Sequence, residues 1–434
     1  MPQKIRTVTL GCKVNQYETE YVRQGFIGIG YTDARENEVA DLCVVNTCTV
    51  TGAGDSKSRQ VIRRMARENP GVRILVMGCY ATRAPAEVAA LPGVTEVVTD
   101  KRQLPDLLGR HGVLDVPSGI SEFGDRHRAY LKVQDGCLLR CSYCIIPKVR
   151  PHVASRPVSE VLDEARRLLD NGYRELVLTG VHLGHYGVEQ NRHKPKSQWV
   201  RLSHLVRDLA QLDGDFRIRL SSIEATEVTR ELVETMAEFA PKVCPHLHIC
   251  LQSGSDRILR KMRRRWSTRM FLDRCQLVRG ALELPALTTD VIVGFPGETQ
   301  QDFQATCDVV RQAGFSKIHV FPFSARQGTP AAQMPDQLPK RVKSQRGKTL
   351  SELAGELRNR YFRQLIGRDL TVLVESSSRH VAGQMQGTSC RYAPVALDNC
   401  QAQPGQLVVC RPVALETGQL RARTEAVPIG GLHS

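Results

Sequence analysis

The stretch DGCLLRCSYCIIPKVR places three cysteines, Cys137, Cys141 and Cys144, within eight residues. Thiols at that density read first as metal ligands. A structural zinc site closes a tetrahedron of four ligands, usually as two CxxC pairs or one pair with two histidines. No second pair follows here, so zinc would have to borrow a distant ligand such as Cys244 or Cys250. Cysteine thiolates also hold four-iron clusters, and three of them leave one iron open to another ligand.

A second group of three is spread along the N-terminal part. Cys12, Cys48 and Cys79 each end an apolar run (IRTVTLGC, DLCVVNTCTV, RILVMGC) and sit in the turn chemistry of GCK, NTCT and GCY. Ligands of open α/β sheets bind outside the carboxyl ends of the strands, so these three residues are expected to converge on one rim as a second three-thiol site. The alternative is that they are small buried residues at strand ends, the reading that suits Cys43 inside its strand.

The rest of the chain must position these groups. Its 434 residues, 41% hydrophobic, suffice for two or three domains. The N-terminus lacks the apolar run of a leader peptide and no stretch reaches eighteen consecutive apolar residues, so the expectation is a cytosolic protein with no membrane partner. In that reducing compartment fourteen cysteines do not suggest disulfides. Sixty Lys and Arg against forty-five Asp and Glu leave +15, which favours a polyanionic partner such as RNA.

An α/β chain of three segments is expected. Residues 1–120 alternate short apolar strands with amphipathic helices, the pattern of a small parallel α/β domain. Residues 121–350 repeat the alternation over six strands (YLKVQDGC, RELVLTGVHLG, FRIRLSSIEA, HLHICLQSGSD, LTTDVIVGFPGE and SKIHVFPFS), which suits a partial or complete parallel barrel with its site on the carboxyl face. The Cys137 loop follows the first of these strands and opens onto that face. A charged helix starting near residue 338 then leads into residues 351–431, where five short strands between Ile366 and Pro428 read as a small β-barrel of the oligonucleotide-binding kind.

The spacing CxxxCxxC after a first barrel strand resembles the radical S-adenosylmethionine enzymes. That resemblance implies that the open iron chelates S-adenosylmethionine and that one electron releases a 5'-deoxyadenosyl radical, which abstracts hydrogen from an unreactive carbon. It implies further that Tyr143 lies near the adenine, that Gly172 and Glu175 of NGYRE meet the methionine amine, and that Ser222 and Glu224 of LSSIEA meet the ribose. The backbone of Ile292 to Glu298 would approach the adenine. Each of these last motifs also reads as a turn or helix cap.

With GCKVNQYE, VVNTCTVT and VMGCYA ahead of it, the chain resembles the methylthiotransferases through nearly its whole length. The resemblance implies two 4Fe-4S clusters, an auxiliary one on Cys12, Cys48 and Cys79 beside the radical one on Cys137, Cys141 and Cys144. One S-adenosylmethionine would methylate sulfur and a second would open a C–H bond for its insertion. The last barrel would be an RNA-binding TRAM domain. Implied partners are tRNA, an electron donor such as flavodoxin or ferredoxin, and a sulfur donor, with the chain acting as a monomer.

The opening GCKVNQYETE most resembles the branch that methylthiolates threonylcarbamoyl-adenosine in tRNA, at C2 of the base. Two sister branches, one acting on isopentenyl-adenosine with a GCQMN-like opening and one on a ribosomal-protein aspartate, remain as alternatives, as does a metal-stabilised RNA-binding protein without catalysis. A basic residue near the cysteine loop, Lys148 or Arg150, is expected to pair with the threonyl carboxylate. The chain departs from the family pattern at Pro151, Ala154 and Cys250. KMRRRW, Lys261 to Trp266, reads either as an RNA-binding stripe or as a solvated helix face with a half-buried Trp.

Overall fold

The computed structural model describes residues 2–124, 126–378, 381 and 383–423. Four parallel strands form the N-terminal sheet: β1 (Lys4–Thr9), β2 (Leu42–Thr47), β3 (Arg73–Gly78) and β4 (Val94–Val97), in that spatial order, with the two-residue strand Thr32–Asp33 outside β1. β2 is central and all six of its residues are buried, as expected of a parallel strand covered on both faces. Helices α1 (Lys13–Gly28), α2 (Gly52–Glu68) and α3 (Cys79–Arg83) leave the carboxyl ends of β1, β2 and β3.

The central six strands are β5 (Ala129–Asp135), β6 (Glu175–Gly180), β7 (Arg217–Leu220), β8 (His246–Ile249), β9 (Ala286–Val293) and β10 (Lys317–Pro322). β5 pairs with β6 and β6 with β7, all parallel. The short continuation Ser222–Ile223 carries the sheet on to β8, then β9 and β10. Among the described residues β5 and β10 do not pair, so of the two architectures expected the structure adopts the partial barrel. α1 packs against β5 and β6, and the long helix Lys340–Gln364 packs against β10.

The C-terminal strands β11 (Leu370–Ser377), β12 (Gln384–Ser389), β13 (Pro394–Asp398), β14 (Leu407–Glu416) and β15 (Gln419–Arg423) close in the order β11-β12-β13-β15-β14. The end of the expected last strand, residues 424–428, lies outside the described residues.

This small barrel closes the amino end of the large one through two buried arginines. Glu175, fully buried at the start of β6, accepts from Arg217 Nε (2.7 Å) and Arg219 Nε (2.8 Å). The same guanidinium groups donate onward to the carbonyls of Thr371 and Thr388, each at 2.8 Å, and of Ser389 and Cys390, each at 3.0 Å. Arg217, Arg219 and Arg128 outweigh the burial that would raise the Glu175 carboxyl and hold it well below the ordinary carboxylate range.

That position corrects the expectation for Glu175. It lies at the opposite end of β6 from the cysteine loops, five residues or roughly 16 Å along the strand from Gly180, and it joins two domains. Gly172 belongs to the same far rim. It sits at φ +89° in the turn that ends the helix Val158–Asp170, with open space around it. Neither residue is placed to touch a ligand at the cysteine loops.

Because removing one partner of a buried pair strands the other charge, Glu175→Gln is expected to cost about 3–5 kcal/mol of stability. Chemical denaturation at neutral pH measures it. The contribution of a depressed carboxylate is present above its ordinary value and lost as pH falls through the folded-state value, so the gap between wild type and variant should narrow in acid.

Candidate functional site

The first three cysteines do converge. Cys12 caps the amino end of α1, Cys48 follows β2, and Cys79 opens α3. All three line one cavity of about 750 Å³ that continues into the partial barrel. Local backbone chemistry brings them there. Gly11, at φ +112°, lies so close to Cys48 that a Cβ on it would stand 3.2 Å from Cys48 Cβ and 3.4 Å from its sulfur. Gly78, at φ +96°, turns the chain into Cys79 where a Cβ would meet the Thr47 carbonyl oxygen at 2.4 Å. Asn15 Nδ2 donates to the Leu10 carbonyl (3.1 Å) and the Thr47 carbonyl (3.0 Å), tying the turn of Cys12 to that of Cys48. Desolvation, and then the like charge of Cys79, raises the thiols of both Cys12 and Cys48.

The second three sit on the loop after β5. Gly136, at φ +75°, starts the loop against the His152 carbonyl, where no side chain has room. Ser142 anchors its middle, with N donating to the Met262 carbonyl (3.1 Å) and Oγ to the Lys261 carbonyl (2.8 Å). The Cys144 amide donates to the Cys141 carbonyl at 3.1 Å. Burial and the like charge of Cys141 and Cys137 push the Cys144 thiol up to about 12, while Arg264 opposes burial at Cys141. All six are free thiols. Two sets of three free thiols, each on a turn, match the donor set of a cluster held through three irons.

Arg264 gave no signal in the sequence beyond its place in KMRRRW. Its Nη1 donates to Cys141 Sγ (3.1 Å) and to Tyr143 Oη (3.3 Å), its Nη2 pairs with Glu224, and its plane lies 3.9 Å from the centre of the Trp266 ring. Trp266 is buried. This part of KMRRRW therefore faces the cysteine loop, and neither reading of the motif describes it. His182 was also missed. Its Nδ1 is 3.4 Å from Cys137 Sγ and its Nε2 3.3 Å from Glu227.

Of the residues expected near a bound cofactor, Tyr143 and Glu224 meet at Arg264, and Ser222 lines the cavity. Tyr143 packs edge-on to Phe295, and Ile292 borders the same apolar cluster. Cys244 lies elsewhere, in the core that the terminal barrel shares with β9, so it is no fourth ligand to the Cys137 loop.

Arg150 is not a free cation either. It is buried, with Nη1 donating to Glu18 (2.7 Å) and Asp135 (2.8 Å), and Nη2 to Glu18 (2.7 Å) and Asn15 (3.1 Å). Lys132 completes the set with Glu18 (2.8 Å) and Asp135 (2.6 Å). Burial alone would raise the Glu18 carboxyl, but Arg150 and Lys132 outweigh it and hold it low. Lys148 is exposed and is not among the residues lining the large cavity. The expectation that either residue waits for a substrate carboxylate is therefore not met by Arg150, which is neutralised, nor by Lys148, which faces elsewhere.

The two cysteine sets are neighbours. Cys79 packs with Ile145, which caps the short helix leaving the Cys144 turn, and with Val149, which ends it, and Arg150 follows directly.

Residues 4–100 match the uncharacterized protein family UPF0004 and residues 131–310 the radical SAM superfamily. The chain is 40% identical over 424 residues to the threonylcarbamoyladenosine tRNA methylthiotransferase MtaB of Bacillus subtilis (strain 168), covering 92% of this chain and 91% of that protein. It is 36% identical to the MtaB of Thermotoga maritima, with 86% of each covered. It is 34% identical to a tRNA-2-methylthio-N(6)-dimethylallyladenosine synthase of Mycobacteroides abscessus, covering 95% of this chain and 83% of that one. Among solved structures, the radical S-adenosylmethionine methyltransferase TsrM of Kitasatospora setae superposes with a TM-score of 0.55 at 14% identity, over 76% of this chain and 75% of that one, a likeness of fold.

Replacing Cys12, Cys48 and Cys79 together by alanine is expected to remove about half the iron of anaerobically reconstituted protein. Reductive cleavage of S-adenosylmethionine should persist in that variant and vanish in the Cys137, Cys141 and Cys144 counterpart. Iron and sulfide assays with quantification of 5'-deoxyadenosine check both.

Proposed function

Because this chain belongs to the methylthiotransferase family of radical S-adenosylmethionine enzymes, we propose that it inserts a methylthio group at C2 of threonylcarbamoyl-adenosine in tRNA. The observation that carries the reading is the pair of three-thiol sets, packed side by side, one of them lining a cavity that runs into the barrel. Cys12, Cys48 and Cys79 would hold the auxiliary cluster, and Cys137, Cys141 and Cys144 the radical cluster. When bound, the clusters and S-adenosylmethionine supply the sulfur and the radical chemistry.

The chain's own residues bind, orient and screen. Tyr143, Ser222 and Glu224 are the side chains proposed to meet S-adenosylmethionine, in the place their motifs hold in the family. Arg264 sets a fixed positive charge against Cys141 and keeps Glu224 in position. Phe295, Phe323, Ile258 and Met262 form the apolar wall behind Tyr143 and exclude water from that side. An electron donor of the flavodoxin or ferredoxin kind and an external sulfur donor complete the partners, and the chain acts as a monomer. No described helix is long and apolar enough to cross a membrane.

Charge supports tRNA contacts along the long helix more than on the terminal barrel. Residues 366–434 carry six Lys and Arg against five Asp and Glu, whereas residues 340–364 carry eight against two. Lys340, Arg341, Lys348, Arg360 and Arg363 are exposed along that helix. On the barrel, Arg411 and Arg421 are paired with Asp369 and Asp398.

Competition tests the substrate. Reconstituted enzyme is offered tRNAs bearing threonylcarbamoyl-adenosine, isopentenyl-adenosine or unmodified adenosine, with the ribosomal protein, and methylthio product is measured by mass analysis. The first tRNA should be preferred; preference for any other reassigns the branch. Separately, the Lys340→Gln, Arg341→Gln, Lys348→Gln triple variant should bind tRNA more weakly and lower the slope of log affinity against log salt by about two to three. An unchanged slope would return the main contact to the terminal barrel.

A further inference from the structure

The cavity behind Cys12, Cys48 and Cys79 is lined by strands of the partial barrel, and its charges are unbalanced. Asp290 is the only carboxylate among its lining residues, against Lys13, Arg150, Arg219 and Lys317. Two of these cations are already neutralised, Arg150 by Glu18 and Asp135, and Arg219 by Glu175. Lys13 and Lys317 make no ion pair and no hydrogen bond among the described residues. Lys317 lies 5.7 Å from the centre of the Tyr392 ring, at the floor contributed by the terminal barrel. Lys13 Nζ reaches away from the cysteine rim and stands 5.8 Å from the centre of the Tyr130 ring.

The same wall presents an unused polar atom. His246, 5% exposed, has Nδ1 without a hydrogen-bond partner, and His248 Nε2 stands 3.4 Å from the Asp290 carboxylate. Ligand atoms of His248, Asp290 and His319 lie within 4.8 Å of one another, a spacing a cation would accept. Two uncompensated lysines bordering the same cavity oppose a divalent ion there and favour an anion.

We propose that Lys13 is the residue that recognises the carboxylate of the threonylcarbamoyl group and so selects the modified base. The inference rests on the substrate reading above and names the side chain that enforces it. Lys13 Nζ stands near Tyr130 at the floor of the cavity, so a charge-assisted bond there draws the threonyl arm down and leaves the base above it, on the side of the auxiliary thiols. An isopentenyl chain in the same place leaves the ammonium facing apolar atoms. A site built to pair a polar group rejects the analogue lacking it far more strongly than an apolar pocket distinguishes sizes. Arg150, consumed by two carboxylates, has no such role.

The test uses anaerobically reconstituted holoenzyme and anticodon stem-loop RNAs carrying threonylcarbamoyl-adenosine, its methyl ester, isopentenyl-adenosine or unmodified adenosine. Wild type should bind the free acid more tightly than the ester. In Lys13→Gln that preference should fall by about tenfold or more, the size of one charge-assisted hydrogen bond, with the other RNAs bound as before and iron content unchanged. Lys13→Arg should restore most of the preference. Equal weakening for all four RNAs, retention of the acid preference in Lys13→Gln, or loss of iron in that variant would overturn the assignment, the last by making Lys13 a support of the auxiliary thiols. If wild type itself shows no preference for the threonylcarbamoyl RNA, the substrate reading fails instead.

Discussion

A single buried ion network holds the two cysteine sets in register. Arg150 follows the loop that carries Cys137, Cys141 and Cys144, Glu18 belongs to α1 of the N-terminal domain, and Asp135 ends β5; all three meet with Lys132 inside the protein. Each carboxylate is shared by two cations, so no charge in the group is left alone, which is the condition under which buried ions are tolerated. The geometric consequence matters more than the energy. Cys12 caps α1 and the network sits one to two turns along it, so fixing Glu18 against Arg150 fixes where Cys12 and Lys13 enter the barrel mouth. The apolar contact of Cys79 with Ile145 and Val149 fixes the other side of the same junction.

The other end of the barrel is closed by a second network of the same kind. Arg217 and Arg219 each hold Glu175 with one edge of the guanidinium and terminal-barrel carbonyls with the other, a use of the planar fork that lysine cannot reproduce. The terminal barrel is thereby a floor as well as an appendage, since Tyr392 from its β12–β13 turn lines the cavity and lies 4.9 Å from Arg219. A cavity closed below by one domain and capped above by another leaves the carboxyl rim of the strands as the place where both thiol sets gather.

Much of this was legible in the sequence because it depends on local signals. The strand-to-turn position of Cys12, Cys48 and Cys79 was enough to place them on one rim, and the six strand patterns of the central segment correspond to β5 through β10. The side-chain roles were less legible because they depend on partners far away in sequence. Glu175 follows a Gly turn and looks like a ligand-binding motif, yet its partners Arg217 and Arg219 lie more than forty residues on, and no period or spacing links them. Arg150 looked like a free cation for the same reason, its counter-ion Glu18 being 132 residues earlier. Arg264 was hidden inside a basic run whose composition suggests solvent, while its burial follows from the Trp266 ring beneath it. The uneven placement of the positive charge, with the long helix richer in it than the terminal barrel, emerges only when the residues are counted segment by segment and not over the whole chain.

The two sulfur sites also share an electrostatic device. Each has one arginine divided between sulfur and carboxylate: Arg150 opposes the desolvation of Cys12 while bound to Glu18 and Asp135, and Arg264 donates to Cys141 while bound to Glu224. A thiol that must lose its proton to bind metal creates a negative charge where burial disfavours one. An arginine with no other partner would itself be an unpaired charge before the metal arrives. Sharing it with a carboxylate keeps the cation satisfied when the thiols are protonated and leaves part of its field for the thiolates once they form. The carboxylate thus fixes both the position of the arginine and the amount of positive charge the sulfur feels, which is why Glu18 and Glu224 belong to the architecture around the two cysteine sets.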